Sequence, residues 1–398
     1  MLSSKRTIRS LTALFFGMIF VFIGSALTVN SIAIILKHND ISNFYIGIIG
    51  SCYFLGAMVS TISAHRIVSK VGHIRSFGIF AIIFGIATML HSLNSNLYFW
   101  MVLRFLLGFC YYALLMVIES WLNEKAKNAI RSRVIAFYEV VFYSSSGFGI
   151  LLMSFDFPSN TVFILSASFI MFASIPLFLI RIKEPVLPQK TKISIPKVFD
   201  IVPLALVTSF IAGMLLNGFF SMASLFILIQ GFGAKEASIF IFCTMLGGFI
   251  SQLFIGTLSD KISRKFAIIL CAFTALSAML CILLLSYNIY LKYFFGFLLG
   301  MGMCCLYALS LARANDMLED SSKRVELGRA VLFTYSFGAL FAPAVLGTLM
   351  YYFESNGFMY FYIVLLATLI AFAIDKPKFK NLSKFKRKPG NMVMLDDN

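Results

Sequence analysis

Two carboxylates and one guanidinium occupy positions where ionisable groups are costly. Glu119, Glu139 and Arg104 lie inside long apolar runs, and a charge in such a run must be paired, hydrated or used, so each is a functional hypothesis by default. Arg104 is suited to an anionic ligand because its planar fork matches a carboxylate or phosphate. Glu139 is surrounded in sequence by Phe137, Tyr138, Phe142 and Tyr143. Desolvation there favours the protonated acid, as proton coupling requires, and a snorkelling or tyrosine-bonded structural carboxyl is the other reading. Asn30 and Asn217 offer hydrogen bonds to a substrate or to a neighbouring backbone. Other chemistries lack their residues. His38, His65, His73 and His91 sit at the ends of apolar runs with no metal-ligand spacing, and the seven cysteines fall inside such runs without a CxxC pair. No phosphate-binding Gly-x-x-x-x-Gly-Lys string, selectivity-filter-like loop or cluster of reactive side chains appears. An ATP-driven pump, a channel and an enzyme are disfavoured, and no metal or cofactor is expected.

The elements that position these groups follow from composition. Of 398 residues, 60% are hydrophobic, 16% aromatic and only 13% charged, far from a soluble domain and sufficient for about twelve membrane spans of roughly 20 apolar residues each. Apolar runs extend over 11–36, 44–64, 76–90, 97–122, 134–153, 161–180, 201–229, 237–258, 266–285, 293–311, 330–352 and 358–374. Charge placement agrees with that count: the segments on the side of the N-terminus hold 29 of the 33 Lys and Arg, and the other side holds only Lys37, Lys235 and Lys292. The positive-inside rule therefore puts both termini in the cytoplasm, and the inner (plasma) membrane is the expected location. The basic tail after Asp375 fits anionic lipid better than nucleic acid, and the first run is too long for a cleaved signal peptide. A monomer is the expected unit.

Internal repetition divides the chain. The string FLLG at 105–108 returns at 297–300, each near the start of the fourth run of its set, and at the same offset Glu124 falls on Asp316. The expected organisation is a six-helix half over 1–182, a Pro-containing basic linker over 183–199, a second six-helix half over 200–375 and a basic tail over 376–398.

The loop between the second and third runs of the second half reads GTLSDKISRK from Gly256 to Lys265. Gly256 would permit close helix approach, while Asp260 would cap the next helix and pair with Lys261 or Arg264. This loop resembles the signature of the major facilitator superfamily. The first-half copy keeps Lys70, Gly72 and Arg75 but has Ser69 at the usual Asp position, and the step from Arg104 to Gly108 also matches. YFLG at Tyr53, GHIRSF at Gly72, IESWLN at Ile118, the Gly247-Gly248 pair with Gln252, and LARANDMLE at Leu311 together resemble the YcaD-like group of that superfamily. The resemblance implies an all-α membrane protein of twelve helices in two halves. It further implies a secondary transporter for a small-molecule solute not defined for the group; protons are the expected coupling partner and membrane lipid the expected surroundings. Proton-antiport efflux of drugs or metabolites is the alternative, although the fifth run lacks the Gly-Pro step expected of drug antiporters.

In that architecture the third and sixth helices of each half face lipid and the others surround the pathway. Arg104 would lie about 10 Å below the outer end of the fourth helix, with Glu119 about 22 Å further along. Glu119 is then expected near the cytoplasmic face, paired with Arg75 or Lys70. Asp260, Lys261 and Arg264 are expected to join Asp316 in an inner latch favouring the outward-facing state, with Arg75 and Glu119 as the first-half counterpart.

Overall fold

The computed structural model describes residues 2–94, 96–125, 131–179, 202–285, 288–317 and 324–376, all of it helix and short connections. Eleven described helices are long and apolar enough to cross a membrane. The N-terminal set is α1 (Leu2–His38), α2 (Asn43–Val71), α3 (His73–Leu90), α4 (Leu97–Lys125), α5 (Arg131–Leu151), α6 (Ser159–Phe172) and the single turn α7 (Ile175–Phe178). The C-terminal set is α8 (Pro203–Ile229), α9 (Ala234–Ile262), α10 (Arg264–Leu284), α11 (Ile289–Met303), α12 (Leu306–Met317) and α13 (Arg324–Ile374). Turn chemistry sets several starts: Pro203 opens α8, Asn288 accepts from the Tyr290 N–H at 2.9 Å, and Ser263 accepts from that of Phe266 at 3.3 Å.

The last helix departs from regularity. Leu327–Ile374 spans 48 residues, which as one straight helix would be about 72 Å, more than twice the bilayer core. At Glu354 the backbone leaves helical geometry (φ 52°, ψ −134°). A Cβ on Gly357 would strike the carbonyl oxygen of Leu349, eight residues earlier, whereas those positions lie about 12 Å apart in a straight helix. The chain therefore folds back at Glu354, and the eleventh and twelfth apolar runs lie on either side of the turn.

The repeat seen in the sequence has a packing counterpart. Where α2 crosses α4, a Cβ on Gly56 would strike the Phe105 carbonyl and one on Gly108 the Tyr53 carbonyl. Where α9 crosses α11, Gly247 meets the Phe297 carbonyl and Gly300 that of Thr244 in the same way. The second FLLG thus recreates the crossing of the first, because backbones this close leave no room for a side chain. Substituting Val at Gly108 or Gly300 is expected to destabilise by about 1–3 kcal/mol through overpacking. A denaturation midpoint in detergent unchanged in both variants would contradict the close crossing.

Call the side carrying the start of α1 the near face and the opposite side the far face. The helices α3, α6 and α10 lie at the periphery; α3 exposes Ile79, Ile82, Ile83 and Ile86, a stripe at helical spacing suited to lipid. The remaining long helices surround a central cavity.

Candidate functional site

The cavity has a volume of about 430 Å³, in the range that holds drug-sized ligands. From α1 it takes Ser25 and Asn30; from α4, Tyr111 and Tyr112; from α5, Tyr138, Glu139 and Tyr143. The C-terminal set supplies Asn217 of α8, Gln252 of α9, Tyr307 of α12 and Tyr335 of α13, while Tyr53 of α2 completes the wall. None of the lining residues belongs to α3, α6 or α10.

The cavity is shut toward the far face. Gly47 and Gly50 of α2 lie against α13, where a Cβ on Gly47 would strike the Pro343 carbonyl and one on Gly50 would come within 2.9 Å of the Pro343 ring. Gly347 reciprocates against the Asn43 carbonyl. Asn43 donates to the Met350 carbonyl at 2.9 Å, and the Ala344 N–H, beside the proline that interrupts the helix ladder, donates to Ser51 Oγ at 3.1 Å. Nearer mid-depth, Gln252 donates to the Tyr143 hydroxyl at 2.8 Å. No such hydrogen bond joins the two sets toward the near face among the described residues. There the near-face ends of α2 and α9 expose Ile62, Ile67, Leu253 and Phe254, and Gly256 has nothing within 4 Å of where its Cβ would stand. The cavity opens to the near face.

Three of the four expected pathway residues line the cavity. Glu139 does, with no ion-pair partner among the described residues. Asn30 and Asn217 occupy matching places on α1 and α8: each donates its side-chain nitrogen to the carbonyl four residues earlier, Ala26 at 2.8 Å and Gly213 at 2.9 Å. Asn30 is only 3% exposed, and its Oδ1 is left without a partner. Arg104 is the exception. It is buried beyond the cavity with its guanidinium carbon 4.7 Å from the centre of the Tyr53 ring, and its Nε and Nη1 lack hydrogen-bond partners. Tyr53 lines the cavity while Arg104 does not, so an anion held there in this conformation would not meet Arg104.

Glu119 requires a correction. It does not come within ion-pair distance of Arg75 or Lys70, both of which are exposed. Helix phase explains this. Glu119 follows Leu115 by four residues and Tyr112 by seven, so it shares their cavity-facing side. It is the next positions that turn to the first loop: Ser120 bonds the His73 ring at 3.1 Å, and Trp121 packs against the same ring. Glu119 stands exposed at the near-face mouth, close enough to Glu139 for the two carboxylates to interact.

The loop signatures are also redistributed. Gly72 ends α2 at φ 90°, a backbone region that favours glycine, and the equivalent second-half position is Ser263 at φ 98°. Ser263, not Asp260, caps α10, since Asp260 lies within the last turns of α9. Arg264 pairs with Asp260 and, at 3.0 Å, with Asp316, while Lys261 is exposed and pairs with neither. Gly256 makes no close helix approach; the open near face leaves space beside it, and its carbonyl accepts from Arg264 at 3.4 Å. All three members of the ion-pair cluster belong to the C-terminal set and are joined while the near face is open. The cluster ties α9, α10 and α12 of the C-terminal set together and brings Asp260, Arg264 and Asp316 into contact as expected, without Lys261. With Asp260 and Asp316 56% and 44% exposed, a double-mutant cycle on Arg264 and Asp316 is expected to give a coupling below about 1 kcal/mol. A coupling of several kcal/mol would mark it as a structural pillar.

The Phe- and Tyr-rich helices of the sequence fit either a wall for an aromatic solute or, for most of these side chains, contact with lipid; the structure places tyrosines in the wall. Seven tyrosines line the cavity, among them Tyr111, which the helical period places on the side of Glu119, and Tyr138, which precedes Glu139. That phase was the available signal; in a chain with 45 Phe and 16 Tyr, composition alone could not separate wall from lipid contact.

This arrangement of helices around a one-sided cavity has relatives. The family model of the Major Facilitator Superfamily matches residues 14–318 and 206–393, and the chain belongs to that superfamily. An uncharacterized MFS-type transporter, YE1530 of Yersinia enterocolitica, is 23% identical over 351 residues, 87% of this chain and 91% of the relative. The uncharacterized MFS-type transporter YcaD of Escherichia fergusonii is 22% identical over 352 residues, with the same coverage. Among solved structures, the nucleoside transporter NupG aligns with a TM-score of 0.69 at 14% identity, covering 92% of this chain and 97% of that one. A bacterial homologue of the human lysosomal transporter Spinster, in an inward-facing and unoccupied conformation, aligns with a TM-score of 0.69 at 14% identity, covering 92% and 95%. The protein is thus a multi-pass membrane protein of a transporter family, and family and fold support a role in membrane transport rather than catalysis.

Proposed function

We propose that this protein is a secondary active transporter that moves a small organic solute across the inner (plasma) membrane by alternating access, coupled to protons. The observation that carries the reading is the cavity between the two helix sets, shut by α2 and α13 toward one face and open toward the other, with the carboxylate of Glu139, which has no ion-pair partner among the described residues, in its wall. A site reachable from one side at a time is what alternating access requires. The fold-back at Glu354 divides the last apolar helix in two, which supports twelve spans in two six-helix halves. The positive-inside pattern makes the near face cytoplasmic, so the open side is the inward one. Export in exchange for protons is the second reading, favoured by the acidic wall, on which a proton and a basic solute would compete.

Uptake and efflux of a metabolite panel in proteoliposomes with an imposed pH gradient tests the proposal. Solute should accumulate against its gradient and lose that accumulation when the pH gradient is collapsed; transport indifferent to the pH gradient removes the proton from the scheme. Orientation is tested at Lys190, which lies outside the described residues. A cysteine placed there on a cysteine-free background should react with an impermeant reagent only after permeabilisation, and reaction in intact cells would reverse the topology.

A further inference from the structure

We infer that the cavity is built for an organic cation, a protonated amine or ammonium group carried on a flat apolar body. The inference rests on the transport reading for what becomes of the ligand, and on the cavity alone for what binds. Among the lining residues there is no Lys, Arg or His, while Glu139 is in the wall and Glu119 stands at the mouth. Two carboxylates interacting in a low-dielectric space draw a cation toward them and repel an anion. Arg104, buried against the Tyr53 ring, does not line the space.

A second observation points to a donor-bearing ligand. The side-chain nitrogen of Asn30 is committed to Ala26, which fixes the amide's orientation and leaves Oδ1 in a buried position with no donor to satisfy it. An unsatisfied buried acceptor is costly, and a ligand N–H reaching Asn30 would remove that cost. Much of the remaining wall is aromatic. Tyr111 of α4 and Tyr138, the neighbour of Glu139 on α5, both line the cavity. Tyr143 is fixed by Gln252 and packs on Phe249 with ring centres 5.1 Å apart. Aromatic faces beside a carboxylate attract organic cations through the ring quadrupole and give a flat body surface to stack on.

The test uses the full-length protein in lipid nanodiscs and three ligands sharing one body: 2-(1-naphthyl)ethylamine, the corresponding neutral alcohol, and naphthylacetate. Calorimetry at pH 7.4 should show the amine binding at least about tenfold more tightly than the alcohol and about a hundredfold more tightly than the carboxylate. In Glu139→Gln the advantage of the amine over the alcohol should shrink to less than about threefold. Asn30→Leu should weaken the amine about five- to tenfold, with the thermal midpoint reporting that each variant is folded. Undetectable amine binding to the wild type, equal or tighter binding of the alcohol or carboxylate, or a preference for the amine that survives in the folded Glu119→Gln, Glu139→Gln double variant overturns the inference. Counterflow of radiolabelled amine in proteoliposomes separates the two claims. Amine bound with the stated preference but not moved defeats the transport reading alone, whereas transport confined to neutral or anionic solutes defeats the cation inference alone.

Discussion

Glu139→Gln is expected to reduce pH-gradient-driven accumulation to the passive level while retaining much of the solute exchange measured at saturating substrate. Gln has the shape of the protonated acid and keeps a donor and an acceptor, but it cannot release a proton, so only steps that require proton loss or uptake at this position are removed. Geometry makes Glu139 the residue to change. It is the carboxylate within the cavity wall, on the cavity-facing side of α5, and no cation pairs with it among the described residues. A carboxyl without a fixed counter-charge in an aromatic setting is free to exchange a proton for a ligand, whereas one locked in an ion pair is not. Glu119 sits at the mouth, and Glu119→Gln should alter the pH profile less than Glu139→Gln does. Exchange is to be measured with equal solute on both sides and accumulation with an imposed pH gradient, so that binding loss and coupling loss are read separately. If Glu139→Gln still concentrates solute at the wild-type pH optimum, Glu139 is structural and coupling resides elsewhere.

Gly47→Leu is expected to disable the far-face closure and drive the protein toward the state open on that side. The α2–α13 contact is made by backbone: Gly47 lies on the Pro343 carbonyl and on Gly347, and the Asn43 hydrogen bond to Met350 and the Ser51 bond to Ala344 flank it. A leucine has no space unless the two helices part. Overpacking of about 1–3 kcal/mol that falls on only one of two states changes their ratio by roughly 5- to 150-fold. Because the same crossing is absent once the far face opens, the variant should fold normally yet lose transport. Cys304, whose side chain lines the cavity, reports the shift. With Cys304 as the sole cysteine, alkylation by a reagent supplied at the near face should slow about tenfold or more in Gly47→Leu. Unchanged alkylation together with unchanged transport would show that this crossing does not gate the cavity.

Much of the architecture was legible in the sequence, and the reason is the bilayer. Length of apolar runs, one-sided Lys and Arg and the recurrence of FLLG follow from the cost of burying polar backbone and charge in hydrocarbon, a cost paid locally along the chain. Hence the helices appear close to where the runs predict, and Gly108 and Gly300 fall at equivalent crossings. The same cost singled out Glu139, Asn30 and Asn217, which line the cavity. What lies across from each of them depends on how helices distant in the chain are rotated and how far they have separated, and no local pattern encodes either. Arg104 lies on the same side of α4 as Tyr111, yet the ring of Tyr53 from another helix covers it. Glu119 has basic residues at the right depth, but its rotation about α4 turns it to the cavity and gives the loop to Ser120 and Trp121. Gly256 was expected at a contact and stands in open space, because the near face is the open one. Depth in the membrane is written residue by residue along the chain, whereas facing and conformational state emerge only when the two sets of helices close on one another.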